Sequence, residues 1–249
     1  MVDSLGYRLK LGIVAPSTNT SVQPEMDDMR PVGVTNHFGR AFIPDNPITS
    51  DADFEQLMVD IRASMEAAVE HVITCDPDRL VMGMSSETFW DGAAGAAALE
   101  KRMREAAGGR PVTMGSDAVN DALQRFGKIR RIAVVTPYMP VADKQVQRYF
   151  EDCGYEIVAL EGLKCASPVL IAHTSERQLR DAILKVDGPD VEAIVQVGTN
   201  LAAARVAAMA EFWLDKPVLA INTAIYWHAL RTSGVDDKVQ GFGSLLADH

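Results

Sequence analysis

Four short segments concentrate the side chains that could do chemistry. They are residues 16–20 (PSTNT), 83–88 (GMSSET), 136–138 (TPY) and 197–200 (VGTN). Each pairs hydroxyl or carboxamide side chains with a proline or glycine, and each follows an apolar run. Hydroxyls, carboxamides and unbonded backbone N–H groups together make an anion-binding set, and a carboxylate suits it as well as a phosphate. Helix capping draws on the same residue types, so one such segment would say little. Four at corresponding places favour a shared site. The candidate binding residues are Ser17, Asn19, Ser85, Ser86, Tyr138, Gly198, Thr199 and Asn200. Among groups able to move a proton, Glu87 adjoins the Ser85–Ser86 pair and His37 follows the second apolar run. A first-turn or capping role is the alternative for Glu87.

Other chemistries find no support. The five histidines (His37, His71, His173, His228 and His249) have no metal-ligand spacing with one another or with a cysteine. His228, beside Trp227, reads as a packing or surface residue. Neither a GxxxxGK[ST] motif nor a GxGxxG after the first apolar run is present, and GMSSE lacks the second glycine of GxSxG. No metal and no nucleotide or other cofactor is expected.

The elements that must position these segments alternate. Apolar, strand-like runs fall at 11–15, within 32–43 (a less regular one), and at 79–84, 111–114, 131–136, 155–160, 193–197 and 218–221. Helical periodicity or composition falls at 51–72, 94–107, 117–126, 141–153, 175–186, 202–214 and 224–232. Asp51 is the expected cap of the first of these helices, and Asp27 and Asp28 read as a solvated loop. Such alternation predicts an α/β fold with parallel sheets and helices on their faces. LGIVAP at 11–16 matches IAVVTP at 132–137, and DRLVMG at 78–83 matches EAIVQV at 192–197. That is an internal duplication. We expect two doubly wound lobes, residues 1–126 and 127–222, with 223–249 packing back on the first. Ligands in such sheets bind beyond the carboxyl ends of the strands, so the duplication brings two sets of strand ends to one cleft.

The chain has 249 residues, 34 acidic against 24 basic, for a formal charge of -10. An acidic chain with no basic run repels phosphate backbones and anionic lipid, so no nucleic-acid or membrane partner is expected. No stretch nears the ~18 apolar residues of a membrane span, and the first ten residues lack a signal-peptide apolar region. Three scattered cysteines, Cys75, Cys153 and Cys165, suit a reducing cytoplasm.

The segments resemble those of the Asp/Glu racemase superfamily, in its maleate cis–trans isomerase and arylmalonate decarboxylase branches. LGIVAPSTNT at 11–20, with Glu25 just after it, VTNHFGR at 34–40 and TPY at 136–138 are similar to the isomerase branch. TFWDG at 88–92 and AIYWHALR at 224–231 are similar to the decarboxylase branch. The resemblance covers nearly the whole chain. It implies a cofactor-independent isomerase or lyase (decarboxylase) acting on a small carboxylic acid, as a homodimer or larger homo-oligomer. It also implies a dioxyanion hole that stabilises an enediolate, with Ser85, Ser86, Tyr138 and Thr199 at matching positions and Asn19 as a substrate contact.

Matched to the family's C-T-S, Met84 falls where the first family cysteine would stand, and Gly198 falls at the second. The expected chemistry therefore does not use the family's cysteine pair. Cys165 lies in a loop whose counterpart in the isomerase branch reaches substrate, with Lys164 beside it to lower its pKa. Cys75 and Cys153 are expected at the opposite rim. Two alternatives stay open. One is a hydrolase or C–C bond-cleaving lyase in which Ser85 or Ser86 is a nucleophile or positions water. The other is a small-carboxylate binding protein without chemistry. Phe89, Trp90, Tyr226 and Trp227 are either substrate-pocket or core residues.

Overall fold

The computed structural model describes residues 3–249. Among these residues eight strands form two four-stranded parallel sheets of the same order. The first holds β1 (Leu9–Pro16), β2 (Val34–Ala41), β3 (Arg79–Met82) and β4 (Val112–Thr113), arranged β2-β1-β3-β4. The second holds β5 (Arg131–Thr136), β6 (Glu156–Gly162), β7 (Ala193–Gln196) and β8 (Val218–Ala220), arranged β6-β5-β7-β8. Register is Ile13 with Phe38 and Val81 in the first sheet, and Val134 with Leu160 and Val195 in the second. The inner strands are apolar runs because helices cover both sheet faces; all four residues of β3 and of β7 are buried. This is the expected α/β fold of two pseudo-symmetric, doubly wound sheets.

In this strand order the chain reverses direction across the sheet between β1 and β3, and again between β5 and β7. A crevice opens at that switch point, beyond the carboxyl ends of the strands. The four segments follow β1, β3, β5 and β7 and so flank the two crevices.

Among the described residues ten α-helices cover the sheets: α1 (Val22–Asp28), α2 (Asp51–Ile73), α3 (Ser86–Phe89), α4 (Gly92–Ala106), α5 (Gly115–Arg125), α6 (Pro140–Asp152), α7 (Glu176–Val186), α8 (Ala204–Leu214), α9 (Ile221–Arg231) and α10 (Ser244–Asp248). Helix α9 leaves β8 and packs against α1, α5, β3 and β4. Among the described residues no helix is long and apolar enough to cross a membrane.

Three local expectations need correction. Residues 27 and 28 close helix α1, which buries Val22 and Met26; Asp28 pairs with Arg205, and Asp27 accepts from Asn36. Ser50, not Asp51, caps α2: its backbone is extended and its hydroxyl accepts from the Asp53 N–H at 3.2 Å. Asp51 instead accepts the Val141 N–H at the start of α6. The last long helix begins at Ile221, three residues early, because its apolar start continues the run of β8.

Helix α2 lies against β2 through Gly39. A Cβ there would sit 2.3 Å from the Ala68 carbonyl oxygen and 3.0 Å from the Val72 Cβ. Gly39→Ala should therefore cost about 1–3 kcal/mol by overpacking, lowering Tm by roughly 2–4 °C per kcal/mol in a chain of this size. An unchanged melting curve would contradict this packing.

Candidate active site

The carboxyl ends of both sheets meet at Ser85. Its Oγ accepts the Thr199 N–H at 3.1 Å and lies 2.7 Å from the Tyr138 hydroxyl. The three groups come from the ends of β3, β7 and β5. Ser85 and Tyr138 share one hydrogen bond, so whichever donates, one hydroxyl proton of the pair is left for a ligand. Ser86 also turns toward this point and is half-buried. Together these groups line a cavity of about 60 Å³ with Thr18, Asn19, Met84, Gly198 and Asn200.

Each donor is held by the opposite lobe. The Asn19 carboxamide donates to Thr199 Oγ1 at 3.0 Å, and that hydroxyl donates to the Gly83 carbonyl at 3.1 Å. Asn200 Oδ1 accepts the Thr20 N–H at 2.9 Å, and the Ser21 hydroxyl donates back to the Asn200 carbonyl at 2.9 Å. Asn19 and Asn200 thus spend their polar groups on architecture. Arg40 supports the first segment from behind, donating to the Asn19 carbonyl at 2.8 Å and to Gln23 Oε1 at 2.7 Å. The Tyr138 ring meets Phe54 edge-on, 5.4 Å between centroids. Burial pushes the Tyr138 phenol well above its ordinary range, so it is a neutral donor at any physiological pH.

The rest of the cavity wall is apolar: Ile43, Phe54, Leu57, Ile61, Pro168 and Ile171. The α2 residues show in the sequence only as part of that helix's apolar stripe. Phe54 and Ile61 are buried and Leu57 sits at the stripe's edge. Thr18 was hidden among four neighbouring polar residues.

The three proton-transfer candidates all face elsewhere. Glu87 is buried, but its carboxylate turns to α2 and pairs with Arg62, with Oε2 3.2 Å from Nη2, in a separate groove with Trp90 and Asp91. The helical turn that points Ser86 into the cavity rotates the next residue away from it. His37 lies within β2, an edge strand, with Nε2 3.0 Å from Thr35 Oγ1. Cys165 sends its backbone N–H to the Pro137 carbonyl at 3.0 Å, while its Sγ points to Thr174 Oγ1 in another groove. Burial raises its thiol pKa, and the lowering by Lys164 does not occur. Ser17 also misses the cavity, its hydroxyl bonding the backbone of Ile43. Phe89, Tyr226 and Trp227 belong to the core.

The two strand ends expected to lack thiols are now explicable. Met84 is buried on the cavity wall. Gly198 has φ 112°, and a Cβ there would lie 2.5 Å from Pro137 Cδ. No side chain fits that position without moving the TPY turn. All three cysteines are free, and burial raises each thiol pKa.

Comparison with known proteins agrees with this architecture. The chain is 24% identical to maleate isomerase of Pseudomonas putida, covering 96% of this chain and 97% of that protein. It is 28% identical to arylmalonate decarboxylase of Bordetella bronchiseptica, covering 65% of this chain and 68% of that one. Among solved structures, the maleate cis-trans isomerase of Nocardia farcinica bound to TRIS superposes with TM-score 0.85 at 23% identity, over 96% of this chain and 97% of that one. A crystal structure of arylmalonate decarboxylase superposes with TM-score 0.74 at 21% identity, over 95% and 98%. Residues 55–246 match the family model described as arylmalonate decarboxylase, and the chain therefore belongs to that family.

Proposed function

We propose that this protein decarboxylates a malonic acid bearing a small 2-substituent, without a cofactor and without a cysteine. The observation that carries this reading is the division of the cavity into one neutral hydrogen-bonding corner and one apolar wall. Among the described residues Tyr138 is the only titratable side chain lining it. Isomerisation through a thiol adduct needs a nucleophile there, and racemisation needs a base. Loss of CO2 needs neither.

The step balances as follows. The bond from Cα to one carboxylate breaks, CO2 leaves, and the electron pair moves onto the remaining carboxylate as an enediolate. A proton then reaches Cα from the Tyr138 hydroxyl and is replaced from solvent, giving the monoacid. The hydroxyls of Ser85, Ser86 and Tyr138 and the Thr199 N–H, which the substrate would share with Ser85 Oγ, would face the growing enediolate charge, and donors already held in place stabilise such charge. The departing carboxylate lies against Ile43, Phe54, Leu57, Ile61 and Ile171. There it loses hydration that its neutral product does not need. The relatives named maleate isomerase and arylmalonate decarboxylase support a small-carboxylate substrate.

Size separates this chain from an aryl-specific enzyme. The 2-substituent would meet the apolar wall, and in a cavity of about 60 Å³ a short group displaces less of that wall than a phenyl ring would. A short alkyl or alkenyl group fits the reading, and a phenyl ring does not.

The test follows 2-ethyl-, 2-vinyl- and 2-phenylmalonate, with maleate as comparison, by proton NMR in D2O. Vinyl- and ethylmalonate should yield the α-deuterated monoacid, with phenylmalonate slower. Leu57→Ala should shift that preference toward phenylmalonate by at least about ten-fold, the scale for added room in an apolar pocket. Ser85→Ala and Tyr138→Phe should each lower kcat/KM by roughly 10²–10³, the cost of one oxyanion donor. Conversion of maleate to fumarate, or binding of malonates with no turnover, would overturn the proposal. So would wild-type rates in Tyr138→Phe.

A further inference from the structure

Behind the hole lies a second polar cluster that the proposed reaction does not use. The Asn222 carboxamide, at the start of α9, donates through Nδ2 to two acceptors: the Thr199 carbonyl at 2.9 Å and Glu25 Oε2 at 2.6 Å. The other oxygen of Glu25 accepts the Ala204 N–H at 2.9 Å. Ala204 opens α8, and the residue at its cap, Ala203, has no side-chain acceptor. Glu25, on α1, thus caps α8 from the other lobe. The loop from Gly198 to Ala203, which carries the hole's N–H, is clamped at Thr199 by Asn222 and at its end by Glu25.

One atom in this cluster is left over. Asn222 is 1% exposed, and its Oδ1 is buried with no hydrogen-bond partner. An unsatisfied buried acceptor costs about 1–3 kcal/mol. Rotating the carboxamide would not help while Glu25 is ionised, because Oδ1 would then face a carboxylate oxygen and a carbonyl oxygen. With Glu25 protonated, its O–H can donate to Oδ1, the amide can turn over, and the Thr199 carbonyl loses its donor. The ionised carboxylate is what locks Asn222 in the orientation that holds Thr199.

We propose that Glu25 is a positioning residue for the carboxylate hole, acting through Asn222 on Thr199, and that the hole is set only when Glu25 is ionised. This rests on the reading of the Thr199 N–H as a hole donor. The charged groups facing Glu25 are Asp28 on its own helix and Arg205 on α8; α9 contributes the neutral Asn222. Burial outweighs the hydrogen bonds and pushes the Glu25 carboxyl up to about 7. The switch therefore falls in the neutral range.

The sign of the stability effect is opposite to that of the positioning effect. A carboxyl whose folded pKa exceeds its unfolded value of about 4.5 binds its proton more tightly in the native state. Its contribution to stability is complete below about 4.5 and is lost as pH rises through about 7. The hole is set in the pH range where this carboxylate destabilises the fold.

The test needs no substrate. The uniformly ¹⁵N-labelled protein is titrated from pH 5.5 to 8.5, following the Thr199 backbone amide and the Asn222 side-chain amide. Both should shift with a common midpoint near 7 in the wild type. Glu25→Gln, which presents a neutral amide to Asn222, should abolish the shift and hold both signals near their low-pH positions. A fixed Thr199 amide in the wild type, or an unchanged titration in Glu25→Gln, would overturn the inference. If a malonate is turned over, kcat should fall as pH drops through 7. Glu25→Gln should then show a flat profile at least about ten-fold below the wild-type plateau, short of the 10²–10³ expected for outright loss of a donor. Should no malonate react, the amide titration still decides the matter. Glu25→Gln should match or exceed wild-type Tm at pH 8, which a residue serving stability alone would not do.

Discussion

Everything in the site depends on the Ser85 hydroxyl, where an N–H from one lobe and a phenol associated with a third strand end converge within 3.1 Å. The two sheets share no strand, so no ladder sets the distance between their carboxyl edges. Helices α2, α3 and α4 pack across the seam against α6, and at the cavity itself the two edges are tied by hydrogen bonds. Asn19 to Thr199, Asn200 to Thr20, and Ser21 to Asn200 all cross the same seam. In a low-dielectric interior such bonds are strong only if each group is satisfied. Loosening one of these bonds leaves a buried partner unpaired, which opposes separation of the two edges.

The electrostatics follow from that choice. A chain of net charge -10 presents no cationic side chain on the cavity wall. In the proposed reading an anion would be met by dipoles, a peptide N–H and hydroxyls, rather than by a charge. Arg40 stands behind the first segment and spends its donors on the carbonyls of Pro16 and Asn19 and on Gln23. Neutral donors cost less to bury than charges. They also leave the opposite wall free to be apolar, which a charge would not.

Much of this was legible in the sequence, for identifiable reasons. Repeated runs at 11–16 and 132–137 revealed the duplication because an inner parallel strand must be apolar on both faces. Asn19, Ser85, Ser86, Tyr138, Thr199 and Asn200 were found because strand ends at a switch point are where polar side chains converge, and all six line one cavity. The failures were of direction and of partner. Glu87 follows Ser86 by one residue, yet a helical turn sends it to Arg62, and sequence adjacency carries no facing. His37 sits inside an edge strand that the loose pattern of 32–43 did not delimit. Helix α1 was missed because VQPEMDD carries a proline and three acids. A proline in the first turn leaves only an orphan N–H unmade, however, and Val22 with Met26 supplies an i,i+4 apolar pair. The roles of Glu25 and Asn222 could not be read at all, since 197 positions separate them in the chain.

The absence of thiols at residues 84 and 198 looked in the sequence like a loss. In three dimensions it has a packing cause at Gly198, where the Pro137 ring occupies the space a side chain would take. That leaves Cys75, Cys153 and Cys165, none of which lines the cavity. The most direct measurement is the turnover of 2-vinylmalonate by a variant in which all three are serine, with its Tm recorded alongside. A kcat/KM within about two-fold of wild type is what a hole-based, thiol-free reaction requires. A loss of ten-fold or more in a variant that melts like the wild type would contradict it.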